Sequence, residues 1–104
     1  MDAKTKFTPG PWHADGPDMF GDFNILHPAD SLAVAAAVTN LRPPEEVHAN
    51  ACLLAAAPTM YAALKRQQEN IRRWIDTGIA ASPEESRAIS DAIDAALAEA
   101  DGEA

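Results

Sequence analysis

Hydrophobic and polar residues follow two different periods along the chain. Between positions 12 and 39 the apolar residues come in short runs that are broken by glycine, proline and aspartate, and several alternate with polar or small neighbours. Such alternation is typical of strands with one buried face. From position 45 onward apolar residues recur every three or four positions, which indicates helices. The order predicts an α+β fold, in which a short N-terminal antiparallel sheet of about three strands precedes a helical half.

The predicted strands lie within residues 12–39. The first covers 12–15, the second 23–27 and the third 31–39. Because only three residues separate the second and third, we expect these two to form a hairpin. The third strand is the ambiguous one, since its apolar residues alternate but its many alanines would also suit a helix.

Helices are predicted over 45–57, 59–77 and 83–100. Pro58 either kinks the first two or separates them, because an interior proline removes a helical hydrogen bond. The second helix carries an apolar stripe of Met60, Leu64, Ile71 and Ile75, flanked by Tyr61, Gln68 and Trp74.

The turn between the last two helices is well marked. Gly78 is placed to end the second helix. Ser82 is followed by proline at the first helical position and by Glu85 three residues on, which is a helix start signal. Because the connecting loop is short, the last two helices should pack as an antiparallel hairpin.

Length and composition predict one small domain that associates with itself. At 104 residues the chain fits one domain, with 1–6 and 101–104 expected to be flexible. The apolar fraction is 47%, but 23 of these residues are alanines, so the core is thin. Alanines at 92, 96 and 100 line one face of the last helix. Such a face permits close helix packing, and we therefore predict a homodimer or a higher homo-oligomer.

The net charge of −8 narrows the classes of partner. It argues against direct nucleic-acid binding and against an anionic membrane surface, both of which favour basic proteins. It fits a solvated acidic surface or a basic protein partner. The sole cysteine, Cys52, suits a reducing compartment. No apolar run is long enough for a signal peptide or a membrane span, so we expect a soluble cytoplasmic protein.

The charged residues of the last two helices segregate by sign. Cations dominate residues 65–73, and acids dominate residues 79–104. The cations, together with a nearby aromatic, are candidates for binding a phosphorylated or nucleotide ligand: Lys65, Arg66, Arg72, Arg73 and Trp74. The acids are candidates for a partner-binding surface: Glu84, Glu85, Asp91 and Asp94. A simpler interpretation is a pair of complementary helix faces, with Glu69–Arg73 and Arg72–Asp76 as ion pairs along one helix.

No motif indicates catalysis. The sequence lacks a glycine-rich phosphate loop, a zinc-protease pattern and a nucleophile elbow. His48 and Cys52 lie four residues apart, but zinc normally needs three or four converging ligands. The apolar neighbours of Cys52 favour a buried small side chain over an activated thiolate. We therefore predict a protein that is not an enzyme and that has no metal site and no cofactor.

Two segments of the chain resemble a set of small bacteriophage and prophage accessory proteins. The first runs from Lys6 to Trp12 and contains the TPGPW sequence, and the second runs from Ala49 through the alanines to Pro58 and on into Met60 to Lys65. In that family the second motif is NAxLIAAAPxLLxAL, so this chain departs from it by having Cys52, Leu54 and the pair Met60-Tyr61. The resemblance covers about a quarter of the chain and carries no shared activity.

What the resemblance implies is context, an accessory gene of a phage or prophage. The first hypothesis is a non-enzymatic inhibitor of a bacterial defence system, anti-CRISPR-like in style, that binds a host defence protein. The second is a sponge that sequesters a phosphorylated or nucleotide signalling molecule. The third is a structural or regulatory phage protein with no defence role.

Overall fold

The computed structural model describes residues 6–103 and has three strands followed by three helices. They are β1 (His13–Asp15), β2 (Phe23–Leu26), β3 (Ala33–Ala37), α1 (Pro44–Ala55), α2 (Ala57–Thr77) and α3 (Pro83–Ala100). This confirms the predicted α+β class, including a strand rather than a helix in the ambiguous segment. Positions 1–5 and 104 of the two segments predicted to be flexible lie outside the described residues.

The sheet is an antiparallel meander in the order β1-β2-β3. Ile25 of the central strand pairs with Ala14 on one side and with Ala35 on the other. The β2–β3 register shifts between Ile25 and Leu26, which places a bulge at the hairpin end of the pair. Ile25 is fully buried, so this register turns the central strand's largest core side chain toward α1.

Helix α1 covers one face of the sheet. Its buried residues Val47, Ala51 and Ala55 are spaced four apart and form the core together with Ile25 and Ala37. Trp12, Ala14, Phe23, Val34, Ala35 and Leu54 are half-buried around this core. Because two of the three helical core residues are alanines, α1 lies close to the sheet. The helix starts after Pro43, and two glutamates in its first turn suit the positive end of the helix dipole.

Pro58 separates α1 from α2. The first helix ends at Ala55, and Pro58 lies in the first turn of the second, where its missing N–H breaks no hydrogen bond. The two helix axes meet at 47°. Within residues 6–103 no helix alone is long and apolar enough to cross a membrane, and α1 and α2 meet that criterion only when the bent pair is counted together.

Helices α2 and α3 form the predicted hairpin, and its turn follows the sequence signals. Gly78 ends α2 with a φ of 72°, in the left-handed region, and its N–H donates to the carbonyl of Trp74. Ser82 and Glu85 form a reciprocal capping box, in which each side chain accepts from the other residue's backbone N–H at 3.1 and 3.0 Å.

The side of α2 that faces α3 is not the predicted apolar stripe. Ala63 is the buried residue of α2, and Arg73 on the same side of the helix reaches α3. Leu64 and Ile75 remain 70% and 69% exposed. The stripe prediction identified the apolar residues of α2, but these residues do not form the hairpin contact.

Helix α3 packs against both α1 and α2, and its alanine face is used within the chain. Ala96 is buried, while Ala92 and Ala100 are half-buried. These alanines therefore do not offer the free face on which the oligomer prediction rested. Residues 101–103 close α3, because the N–H groups of Gly102 and Glu103 donate to the carbonyls of Glu99 and Ala98.

Candidate partner-binding surface

Two loops at one end of the sheet present large apolar side chains to solvent. We call these four residues, two before β2 and two after β3, the apolar loop pair: Met19, Phe20, Val38 and Leu41. Because Phe23 pairs with Ala37, the residues before β2 and after β3 are neighbours. Met19 is 89% and Phe20 75% exposed, and Leu41 is fully exposed. The described part of the chain buries few large side chains, so leaving these in water requires an explanation.

A side-chain bridge joins the two loops. The backbone N–H of Thr39 donates to Asp22 Oδ1 at 2.7 Å. The Thr39 hydroxyl lies 2.7 Å from that same oxygen and 3.0 Å from the carbonyl oxygen of Phe20, and its single proton serves one of them at a time. Gly21 gives this bridge room, because its φ is +86° and a Cβ there would lie 2.9 Å from Thr39 Oγ1.

The loop before β2 is ordered by its own hydrogen bonds. Asp18 Oδ1 accepts from the backbone N–H groups of Phe20 and Asp22, at 2.9 and 3.0 Å. The backbone N–H of Gly21 donates to the carbonyl of Asp18. The backbone at Phe20 is therefore ordered before any partner arrives, which lowers the entropy that binding would cost.

The loop after β3 is a tight turn that holds Leu41 outward. The N–H of Arg42 donates to the carbonyl of Thr39 at 2.8 Å, and the two central residues, Asn40 and Leu41, have φ values of 36° and 68°. Asparagine tolerates the left-handed region, but leucine rarely adopts it. Such strain at an exposed residue points to a function, since a fully exposed side chain gains no packing that would offset the strain.

The charge around the apolar loop pair is mostly negative. Asp15, Asp18 and Asp22 lie in or beside the loop before β2, while Arg42, which follows Leu41, is paired with Glu46 at 2.8 Å. Asp22 is held as an anion, because the backbone N–H and then the hydroxyl of Thr39 donate to its carboxylate and lower its pKa below the usual 3.8. This end of the molecule is thus apolar at its tip and negative around it.

The lowered pKa of Asp22 predicts a pH-dependent contribution to stability. A carboxyl whose pKa is lower in the folded state stabilises the fold above the unfolded pKa, and this contribution is lost as the pH falls through the folded pKa. Asp22→Asn should therefore lower the unfolding temperature at pH 7, and the difference from the wild type should shrink below about pH 3.8. Thermal unfolding followed by circular dichroism from pH 7 to pH 2.5 measures this. Asp15→Asn, on an edge strand, is the matched control, and an undiminished difference at pH 2.5 would contradict the assignment.

The structure divides the predicted anion-binding residues between two sides of α2. Arg66 and Arg73 line an open cleft of about 270 Å³ beside α3. Lys65 and Arg72 each precede one of these residues, so they lie about 100° away around the helix. Trp74 is exposed and borders a separate depression near the α2–α3 turn. The five residues do not converge on one ligand position.

The charge of Arg73 is already matched within the chain. Its guanidinium donates to Glu85 at 3.0 Å and to the Asn70 side chain at 3.3 Å. Glu69 also borders the cleft, so two carboxylates lie beside its two arginines. Arg73 thus pairs with Glu85 across the hairpin and not with Glu69 along α2. The predicted Arg72–Asp76 pair is also absent from the ion pairs of residues 6–103. These contacts correct the predicted pairing along the helix.

Three of the four predicted acidic surface residues share the outer face of α3. Glu84, Asp91 and Asp94 are exposed and spaced seven and three residues apart, on the same side of the helix. Glu85 belongs to the hairpin interface instead. The Ser82 backbone N–H and then the Arg73 guanidinium hold the pKa of Glu85 below its usual value.

The described histidines and the cysteine do not form a metal site. Cys52 Sγ lies 3.9 Å from His48 Nε2, and the His48 ring packs against Phe23 with centroids 5.3 Å apart. His27 accepts a hydrogen bond from the N–H of Ala29 in its own turn. Within residues 6–103 no group of three or more His, Cys, Asp or Glu side chains is placed to hold a metal ion.

Sequence reasoning missed the apolar loop pair. The available signal was the placement of Met19-Phe20 between glycines and aspartates, and of Leu41 between Asn40 and a proline pair. Turn segments normally carry polar residues, so large apolar side chains there are informative. The pairing of the two loops, however, depends on the β2–β3 register and on the Asp22–Thr39 bridge.

Over residues 1–104 the chain matches the family described as Salmonella phage P22 protein Y8K6. Because the match spans the sequence, the chain belongs to this phage protein family. This agrees with the phage context that the resemblance implied. No curated protein and no solved structure gives a significant match.

Proposed function

We propose that this phage protein is a non-catalytic binder that acts in the host cytoplasm on a host protein, with the apolar loop pair as its contact surface. The observation that carries the proposal is Leu41, which is fully exposed and held in the left-handed region by the Thr39 turn. Phe20 is held beside that turn by the Asp22–Thr39 bridge. Large, ordered apolar side chains surrounded by polar groups are the usual anchors of protein interfaces.

The charge around the loops defines the partner. An apolar pocket with a basic rim would complement an apolar tip surrounded by aspartates. The outer acidic face of α3, with Glu84, Asp91 and Asp94, adds to the negative potential of a chain whose net charge is −8. Such a partner would be attracted at long range, and its binding would weaken as salt screens the charges.

Inhibition of a host defence protein is the role we propose for this binding. The support is the phage family, the small size and the acidic surface. The nucleotide sponge has less support, because Arg73 is paired with Glu85 and the other cations diverge around α2. A structural or regulatory role without a host partner makes no use of the apolar loop pair. The following experiment favours that role if substitution in the loops leaves binding unchanged.

The test is Leu41→Asn, which should weaken binding without weakening the fold. Asparagine tolerates the left-handed region better than leucine does, so the stability of the variant should be unchanged or higher. Loss of a central apolar anchor should raise the dissociation constant by at least about 30-fold. The wild type and the variant are used in parallel to capture proteins from host lysate, and the dissociation constants for the purified partner are then measured by calorimetry at two salt concentrations.

Leu53→Asn is the matched control. Leu53 is about half exposed on α1, outside the apolar loop pair, and its replacement should leave the dissociation constant unchanged. Equal binding by the wild type and Leu41→Asn would overturn the assignment of the loops. A dissociation constant that does not change with salt would overturn the proposed basic rim.

A further inference from the structure

An apolar stripe on α2 lies mostly in solvent; its first residue, Tyr61, packs edge-on against Phe7 with ring centroids 5.0 Å apart. It runs through Tyr61, Leu64, Gln68, Ile71 and Ile75, and we call it the α2 stripe. The intervals alternate between three and four residues, which is the spacing of a two-stranded coiled coil. Leu64, Ile71 and Ile75 are all at least 45% exposed, and the groove they line with their neighbours has a volume of about 390 Å³.

The α2–α3 hairpin leaves this side of α2 free. Helix α3 lies against the side that carries Ala63, Asn70 and Arg73, where Arg73 pairs with Glu85 and the buried Ile89 of α3 borders the same cleft. Among residues 6–103 the largest fully buried side chains are Ile25 and Val47. The α2 stripe therefore exposes several large apolar side chains on a fold that fully buries few, and a soluble protein gains stability by covering such a surface.

We propose that a second copy of this chain covers the α2 stripe, with the two α2 helices packed in parallel. The inference does not rest on the apolar loop pair or on a host partner. From Tyr61 to Ile75 the stripe extends about 21 Å along the helix, and Ile79 and Trp74 add exposed apolar surface beyond and beside it. The groove between Leu64, Ile71 and Ile75 provides the hole into which an identical side chain of a second helix fits.

Gln68 identifies the occupant as a second copy. It lies at the middle of the stripe, and an apolar partner would bury its amide without a hydrogen bond, which is costly. An identical helix in the same register brings a second Gln68 amide to the same level. Because an amide both donates and accepts, the two side chains satisfy each other. A single polar residue at such a position is a known means of fixing register.

The cations beside the α2 stripe determine whether the two α2 helices run parallel or antiparallel. Lys65 and Arg72 lie on one flank, each one residue after a stripe position, while Gln67 and Trp74 lie on the other. In a parallel pair each flank meets the opposite flank of the second helix, so Arg72 faces Gln67. In an antiparallel pair each flank meets itself, which would bring Lys65 close to Arg72 of the second copy. Repulsion between like charges therefore favours the parallel arrangement.

Sizing the full chain tests the proposal. Sedimentation velocity from 1 to 200 μM should show a dimer with twice the chain mass of 11.0 kDa. The double variant Leu64→Glu, Ile75→Glu changes two exposed positions and should stay folded by circular dichroism, while its dimer dissociation constant rises at least about 100-fold. Leu97→Glu, on α3 and also about half exposed, is the control and should remain a dimer. A monomeric wild type over this range would overturn the second copy as occupant.

Cross-linking tests the orientation. In a Cys52→Ser background, Ile75→Cys should form an intermolecular disulfide on mild oxidation, because parallel helices place the two copies of position 75 side by side. Thr77→Cys, off the stripe, should not. An unlinked Ile75→Cys dimer, or equal linking at both positions, would overturn the parallel register. Dimerisation should also strengthen with salt, since screening reduces the repulsion between two chains of charge −8, whereas host-partner binding should weaken.

Discussion

Replacing Ile25 by alanine is expected to lower the free energy of unfolding by about 2–5 kcal/mol, the usual range for truncating a large buried aliphatic side chain. Ile25 is fully buried at the centre of the β2 strand, between the sheet and α1. Its neighbours Ala37, Ala51 and Ala55 are too small to fill the space it would leave. A cavity should therefore remain, which places the loss toward the upper part of the range.

Urea unfolding at one fixed protein concentration measures this loss, because any self-association would make stability depend on concentration. The control is Leu32→Ala, which removes the same number of carbon atoms from a side chain that is 65% exposed in the β2–β3 turn. Its effect should stay within about 0.5 kcal/mol. A loss below about 1 kcal/mol for Ile25→Ala would mean that the core described around α1 does not hold the sheet.

The elements of the fold were predictable because their signals are local. The capping box at Ser82 and Glu85 and the left-handed glycine at position 78 depend on residues within one turn of each other. The strand at 33–37 was harder, since an alanine-rich segment has no strong preference of its own. Its pairing with β2 makes this segment a strand, and strand pairing joins residues far apart in sequence, which a local pattern does not show.

The face of α2 that meets α3 could not be predicted, for a different physical reason. Periodicity shows which residues of a helix are apolar, but not whether their partner is in the same chain. Here Arg73 reaches Glu85 and Ala63 permits close approach, so the polar side of α2 meets α3. The apolar side is left for another molecule. An interpretation that assigns every stripe to the core of its own chain fails in such a case.

The candidate contact surface could not be predicted from the sequence, for a related reason. Exposed apolar residues in turns are visible as an anomaly, yet their arrangement depends on contacts that span many positions. Thr39 meets Asp22 across seventeen residues, and this contact together with the β2–β3 register brings the loop of Phe20 beside the turn of Leu41. The predicted cation site failed to converge for the opposite reason, since residues adjacent in sequence point in different directions around a helix.

Gly10→Ala should destabilise the protein by about 1–3 kcal/mol through a steric clash, the usual cost of overpacking. A Cβ at position 10 would lie 2.6 Å from Pro58 Cβ and 3.2 Å from its Cγ. The proline ring is rigid and lies in the first turn of α2, so it cannot move without shifting the α1–α2 junction. The contact joins the Thr8–Trp12 segment, whose tryptophan packs on the core, to the helix junction.

A second substitution separates this clash from any intrinsic effect of removing a glycine. Pro58→Ala keeps the Cβ atom at the closest contact, so it should not rescue Gly10→Ala. Pro58→Gly removes that atom, although it weakens the start of α2. The double variant Gly10→Ala, Pro58→Gly should therefore lose less unfolding free energy than the two single variants lose together, by about 1 kcal/mol or more. Urea unfolding of the wild type, Gly10→Ala, Pro58→Gly and their double variant gives this coupling energy. Additive losses in the glycine cycle would show that the N-terminal segment does not pack on Pro58, and the two motifs that resemble other phage proteins would then be independent of each other in the fold.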